Sequence, residues 1–156
     1  MTSPSPDANF SADHKSVHAS AVRVGESAVL IRGPSGSGKS KLAFDLILAS
    51  RAGIVPSATL VGDDRIRLIS RDGNLIARAV PELVGMIEIR GLGIRHIPFL
   101  DEAPVGLVVD LAAADAARLP AQDALRTAIS GIALPRIPVA PGYDSLPLVL
   151  AFLTTT

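Results

Sequence analysis

The segment GPSGSGKS, residues Gly33, Pro34, Ser35, Gly36, Ser37, Gly38, Lys39 and Ser40, constrains this chain more than any other. It fits the pattern G-x-x-x-x-G-K-[ST] at every defined position, and its flanks agree with it. The apolar run SAVLIR before it reads as a strand, and Leu42, Leu46 and Ile47 recur beyond it at helical spacing. In such a loop the glycines let successive backbone N–H groups turn inward onto phosphate oxygens, and the following helix adds its positive N-terminal dipole. Lys39 is expected to bridge the β and γ phosphates of ATP, and the Ser40 hydroxyl to ligate Mg²⁺. A ligand-free Gly/Ser turn is the bland alternative, and the flanking strand and helix argue against it. The expected fold class is α/β, a P-loop-containing mixed sheet with flanking helices.

The rest of the chain punctuates into short elements. SAVRVG and SAVLIR read as two strands about a turn at Gly25 and Glu26, and ATLVG as a buried strand ending at two aspartates. Alternating Ile66 and Leu68, then Asp72-Gly73, then Leu75 and Ala77 predict a hairpin. A strand is expected around Ile87 and Ile89, broken by Gly91 and Gly93, and VGLVVDL reads as a continuous apolar strand. The alanine-rich stretch after it reads as helix or loop, RIPVAPG as an edge strand, and SLPLVLAFLTTT as an apolar helix.

A length of 156 residues suits one domain with a substantial core. We expect residues 1–15, rich in Ser and Pro, to be a flexible segment, and residues 16–156 to form a single domain. Hydrophobic residues at 48% and charged residues at 19% fit a globular chain rather than a disordered one. No apolar run approaches the roughly 20 residues that span a bilayer, so no membrane partner is expected. Fifteen basic residues balance fifteen acidic ones, so overall charge offers nothing to draw in nucleic acid. The absence of cysteine excludes disulfides and thiolate chemistry and, with no secretory signal at the start, leads us to expect a cytoplasmic protein.

Three further groups carry chemistry. Asp63 and Asp64 follow a strand downstream of Lys39, and two adjacent carboxylates offer one group for a metal and one for proton abstraction. Glu88 and Arg90 share parity along a strand, so a carboxylate and a phosphate-gripping guanidinium can face one site. A solvated turn and an exposed ion pair are the plain alternatives for these two groups. His18 precedes the loop on the strand expected to pair with the one entering it, whereas His14 and His96 read as structural or solvated.

Taken in order, His18, GPSGSGKS, GDDR and EIRGLGI resemble the C-terminal catalytic domain of the HPr kinase/phosphorylase family, from about residue 18 to residue 97. Fainter similarity continues to Pro141 and Gly142. The resemblance implies a fold related to phosphoenolpyruvate carboxykinase, and a protein-serine kinase that transfers phosphate from ATP to an HPr-like phosphocarrier of a bacterial phosphotransferase system. It also implies a homo-oligomer, a hexamer in that family. Carried over residue by residue, Asp63 resembles the catalytic aspartate and His18 the histidine close to it. Asp64 and Glu88, with Ser40, match positions around the metal, and Arg90 matches the arginine of the signature.

The chain departs from the family pattern where PVAPGYD replaces a segment close to PVRPGRN, at Ala140, Tyr143 and Asp144. No segment matches the extra N-terminal domain of full-length members, so a short form with the catalytic domain only is expected. The loss of two cations near the C-terminus predicts weak phosphorolysis of the phosphoserine, because attacking inorganic phosphate needs its charge stabilised. Two other readings stay open on the residues alone. One is a small-molecule kinase or NTPase, and the other a non-enzymatic ATP-binding regulator.

Overall fold

The computed structural model of the chain describes residues 16–156. The segment 1–15, expected to be flexible, and His14 within it lie outside the described residues. Strands β1 (Ser16–Val24) and β2 (Ser27–Arg32) form the expected antiparallel hairpin about Gly25 and Glu26. The glycine loop follows, then helix α1 (Lys39–Arg51), and β3 (Ala58–Gly62) returns to pair with β1. Strands β4 (Arg65–Arg71) and β5 (Asn74–Ala79) are the hairpin predicted at Asp72-Gly73. Both turn residues take positive φ, 54° and 80°, the mirror-image turn whose twist matches that of paired strands. Beyond them β6 (Met86–Ile89) and β7 (Gly93–His96) make a separate two-stranded ribbon. Strands β8 (Glu102–Asp110), β9 (Arg126–Ile129) and β10 (Ile132–Pro138) precede the closing helix α2 (Ser145–Thr154).

Pairing runs β2-β1-β4-β5-β8, and the parallel pairing of β2 with β8 closes these five strands into a ring. Alternation along the strands then divides the apolar residues in two. Ala19, Ala21, Leu30, Ile66, Leu75 and Val105 meet on the inner face. Val22, Ile31 and Val109 face outward, where they pack with Leu42 and Leu46 of α1 and Val149 of α2. Leu46 is fully buried there, so Leu46→Ala should cost about 2–5 kcal/mol. At Gly106 strand β8 changes face: Val105 belongs to the inner cluster and Leu107 to the outer, and the register with β2 shifts at the same place. A Cβ on Gly106 would lie 2.4 Å from Ser27 Oγ, so a side chain there would push the two strands apart.

One expectation is narrowed and one corrected. Of the two readings of the alanine-rich stretch after β8, the loop is the one formed, as turns and one short 3-10 segment, Gln122–Leu125, before β9. Strand β10 is not an edge strand, for it lies between β8 and β9. Its prolines are tolerated because Pro135 ends the pairing with β9 and Pro138 ends the pairing with β8. The N–H of Val139 then resumes the ladder by donating to the Asp110 carbonyl at 2.8 Å. Among the described residues no helix is long and apolar enough to cross a membrane.

Strands β2, β8 and β10 run parallel, so their carboxyl ends open on the same side of the sheet. The glycine loop, the turn after Asp110 and the 139–144 segment therefore meet there, the usual place for a ligand in a parallel sheet.

Candidate active site

Strand β2 delivers the chain into the loop at Arg32, whose main-chain carbonyl accepts from Leu111 N–H at 2.8 Å. The loop then folds tightly over this support. A Cβ on Gly33 would come within 2.6 Å of Ser37 Oγ and 3.0 Å of Leu111 Cβ, so glycine is required by space alone. Gly36 and Gly38 take φ of 80° and 103°, which side chains rarely adopt, and Gly38 is the N-cap of α1. The Lys39 ammonium folds back to donate to the carbonyls of Gly33 at 2.8 Å and Pro34 at 3.1 Å. It is thereby held at the rim of the loop where a phosphate would rest.

Beneath the loop lies a charge network with no signature in the sequence. Arg32 grips Asp110 through two bonds of 2.7 and 2.8 Å, and Arg136 Nε donates to the same carboxylate at 2.5 Å. Arg136 also reaches Asp115 at 2.7 Å and the Ala124 carbonyl at 2.8 Å. Burial pushes the Asp110 carboxyl up, and the two guanidiniums overcome that and hold it below the ordinary carboxylate range. The ends of β2, β8 and β10 are thus tied together where the loop begins. Nothing local marks these residues, since the partners lie on three separate strands.

Asp63 is 4% exposed, at the end of β3, and its carboxylate collects the site. Ser40 Oγ lies 2.8 Å from both of its oxygens, Ser20 Oγ donates to it at 2.6 Å, and the backbone N–H of Glu88 donates at 3.1 Å. Loop, β1, β3 and β6 are joined through this one side chain. Ser20 escapes sequence reasoning because a small residue between two alanines on a strand gives no sign of its partner. A buried carboxylate is tolerable when several donors satisfy it, as here.

Asp64 stands apart from its neighbour. It takes φ of 72°, its side chain is 69% exposed, and its Oδ1 lies 3.8 Å from His18 Nδ1. His18 Nε2 in turn lies 3.2 Å from an Arg65 guanidinium nitrogen. The structure therefore sets His18 directly beside Asp64, the neighbour of the aspartate its resemblance suggested. Glu88 approaches the centre through its backbone, while its side chain is exposed. Arg90 lies just beyond β6, in the turn leading to β7, so the expected shared strand face of Glu88 and Arg90 is not formed. Gly91 and Gly93, with φ of 90° and 103°, turn the chain there before β6 reaches Arg90. His96 is exposed at the end of β7, as its default reading expected.

The Ser40–Asp63 pair offers adjacent hard oxygen donors, the kind Mg²⁺ takes, and it lies at the end of the loop where Lys39 waits. Among the described residues no three His, Asp or Glu side chains gather into a metal cluster of their own. Such a donor set suits an ion that draws further ligands from substrate phosphate and water. The segment that departs from the resemblance, with Ala140, Tyr143 and Asp144, lines a cavity of about 510 Å³ on the loop's other flank.

A glycine loop at the head of a parallel strand, with a buried carboxylate bound to the loop's last serine, defines an α/β domain organised around a phosphate site. Comparison with known proteins narrows this class. The chain belongs to the HPr Serine kinase C-terminal domain family, whose model matches residues 9–151. It is similar to HPr kinase/phosphorylase of Mycoplasma mycoides, at 40% identity over 60% of this chain and 30% of the relative. The HPr kinase/phosphorylase of Treponema pallidum is 34% identical over 91% of this chain and 46% of its own length. The chain thus spans less than half the length of these two curated relatives. In three dimensions it resembles the Hpr(Ser) kinase/phosphatase of Coxiella burnetii, with a TM-score of 0.68 and 28% identity over 89% of this chain and 93% of that one. The expected fold class is borne out, for the mixed sheet with flanking helices is the fold of that catalytic domain.

Proposed function

We propose that this chain is an ATP- and Mg²⁺-dependent protein-serine kinase whose acceptor is an HPr-like phosphocarrier of a bacterial phosphotransferase system. The observation that carries this reading is the bonding of Ser40 and Asp63 at the mouth of the glycine loop, at 2.8 Å. Membership of the HPr serine kinase family supports the choice of acceptor.

In this reading the loop amides and Lys39 hold the β and γ phosphates, and the acceptor serine lies in line with the γ phosphorus. Mg²⁺ would be held at the Ser40 hydroxyl beside Asp63, with further ligands from substrate phosphate and water, and would neutralise charge on the transferring phosphate. The exposed carboxylates of Asp64 and Glu88, which the resemblance placed around the metal, do not gather with Ser40 into one donor set among the described residues. Asp63 takes the proton from the acceptor hydroxyl. Its oxygens already accept from two serine hydroxyls, Ser20 and Ser40, which is the contact a third serine would have to make. His18 and Asp64, the latter next to Asp63 in the chain, lie side by side and exposed, and in this reading Arg90, in the β6–β7 turn, is the group that grips phosphate. We further propose a cytoplasmic homo-oligomer, hexameric as the family resemblance implies.

The test is incubation with labelled ATP, Mg²⁺ and a panel of phosphocarrier proteins, followed by mapping of the labelled residue. We expect one phosphoserine on one carrier. ATP turnover without any protein acceptor would instead mark a small-molecule kinase or NTPase, and ATP binding without transfer a regulator.

A further inference from the structure

The strand order β3-β1-β2-β8-β10 places the glycine loop, at the end of β2, between two flanks. On the β3 flank lie Asp63 and its hydroxyl partners. On the β8 and β10 flank lies the cavity of about 510 Å³, a size within the range that takes a small ligand. Its walls include Gly36, Gly38, Leu111, Ala140, Tyr143 and Asp144, and neither Lys39, Ser40 nor Asp63 is among them. In the nucleotide reading the γ phosphate lies at Lys39 and Ser40, and Gly36, Ser37 and Gly38 of the same loop line the cavity, so the cavity is the space next to the phosphates on this flank.

We propose that this cavity holds the nucleoside half of the nucleotide, with the Tyr143 ring stacked on the base. The inference rests on the proposed role of the loop as a nucleotide site. Tyr143 suits the role because the residue is 64% exposed while its backbone is held on both sides. Its N–H donates to the Ala140 carbonyl at 3.0 Å, closing a turn in which Gly142 takes φ of 76°. The next residue, Asp144, caps α2 by accepting from Leu146 N–H at 3.3 Å. An exposed ring on a pinned backbone binds a flat partner with little loss of conformational freedom. Leu111, Ala140 and Pro141 supply the apolar surround that a base prefers, and the Asp144 carboxylate offers an acceptor for ribose hydroxyls or base N–H groups.

The experiment measures binding of Mg-ATP and of Mg-tripolyphosphate to the whole protein and to Tyr143→Ala and Tyr143→Phe. Tripolyphosphate carries the phosphates and lacks the nucleoside. For Tyr143→Ala we expect ATP affinity to fall roughly ten-fold, the loss of one base–aromatic stack, with tripolyphosphate affinity unchanged. Tyr143→Phe, which keeps the ring, should retain ATP affinity. The proposal is overturned if both ligands weaken equally, if ATP binding is unaffected by Tyr143→Ala, or if the unaltered protein binds tripolyphosphate as tightly as ATP. Binding of neither ligand to the unaltered protein would overturn the nucleotide reading as well.

Discussion

Ser40 and Asp63 form a bifurcated pair, the serine hydroxyl lying 2.8 Å from each carboxylate oxygen across 23 positions of sequence. The pair ties the end of the phosphate loop to the end of a strand two places away in the sheet, so a change at either residue reaches both. Asp63→Asn keeps the shape and removes the charge and one acceptor. Transfer should slow by roughly 10²–10⁴-fold, as for a lost general base, with ATP affinity nearly intact. Single-turnover kinetics over a range of Mg²⁺ check this. If raised Mg²⁺ restores the rate, Asp63 organises the metal instead, and the exposed Asp64 beside His18 becomes the base.

Lys39→Ala removes the one ammonium that the loop holds against its own carbonyls, at 2.8 and 3.1 Å. Transfer should fall by roughly 10²–10³-fold, the loss typical of a single group aimed at transition-state charge. Lys39→Arg should not rescue it, because a planar fork does not fit where a point charge sits among backbone groups. Transfer assays on both variants, with circular dichroism to show the fold is kept, settle the point. Near-normal transfer by Lys39→Ala would remove the loop from the mechanism.

Acid should loosen the end of the sheet that carries the loop. The Asp110 carboxyl is held below its ordinary value near 3.8 by Arg32 and Arg136, against the upward push of burial. A depressed carboxyl contributes stability that is fully present above the unfolded value and is lost as pH falls through the lower folded one. Melting temperature should therefore drop as pH is lowered from about 5 through this range. Asp110→Asn should start lower at neutral pH and show a shallower decline. An equally steep decline in that variant would place the acid sensitivity elsewhere.

The elements of this fold written in local sequence are legible, and those made by distant pairing are not. The glycine loop, the Asp72-Gly73 hairpin and the apolar helix α2 each carry their own signal in spacing or turn residues. Closure of the strand ring depends on β2 pairing in parallel with β8, residues such as Leu30 with Val108, and no local pattern announces that partner. For the same reason the prolines of RIPVAPG point to an edge, although the strand lies inside the sheet with those prolines at the ends of its pairings. At the site, Asp63 is legible as a carboxylate ending a strand. Its donor Ser20 and the supporting Arg32–Asp110–Arg136 network are not, because each bond joins residues far apart in the chain.

The last prediction concerns the direction of the reaction. Phosphorolysis would need inorganic phosphate held against the negative charge of Asp63, Asp64 and Glu88, and so a free cation close to the acceptor. The guanidiniums nearest the loop, Arg32 and Arg136, are already committed to Asp110 and Asp115, and Lys41 is paired with Asp45 at 2.7 Å. The 139–144 segment contributes Ala140, Tyr143 and Asp144 to the loop's flank, and so a negative charge instead of a positive one. Among the described residues Arg65, which lies beside His18, and the exposed Arg90 and Arg95 of the β6–β7 ribbon remain as alternatives. We therefore expect forward transfer with phosphorolysis weak by comparison. The measurement supplies phosphorylated acceptor, inorganic phosphate and Mg²⁺ without ATP, and follows pyrophosphate. Release as fast as the forward reaction would overturn the expectation, and its loss in Arg65→Ala, Arg90→Ala or Arg95→Ala would then show which arginine holds the phosphate.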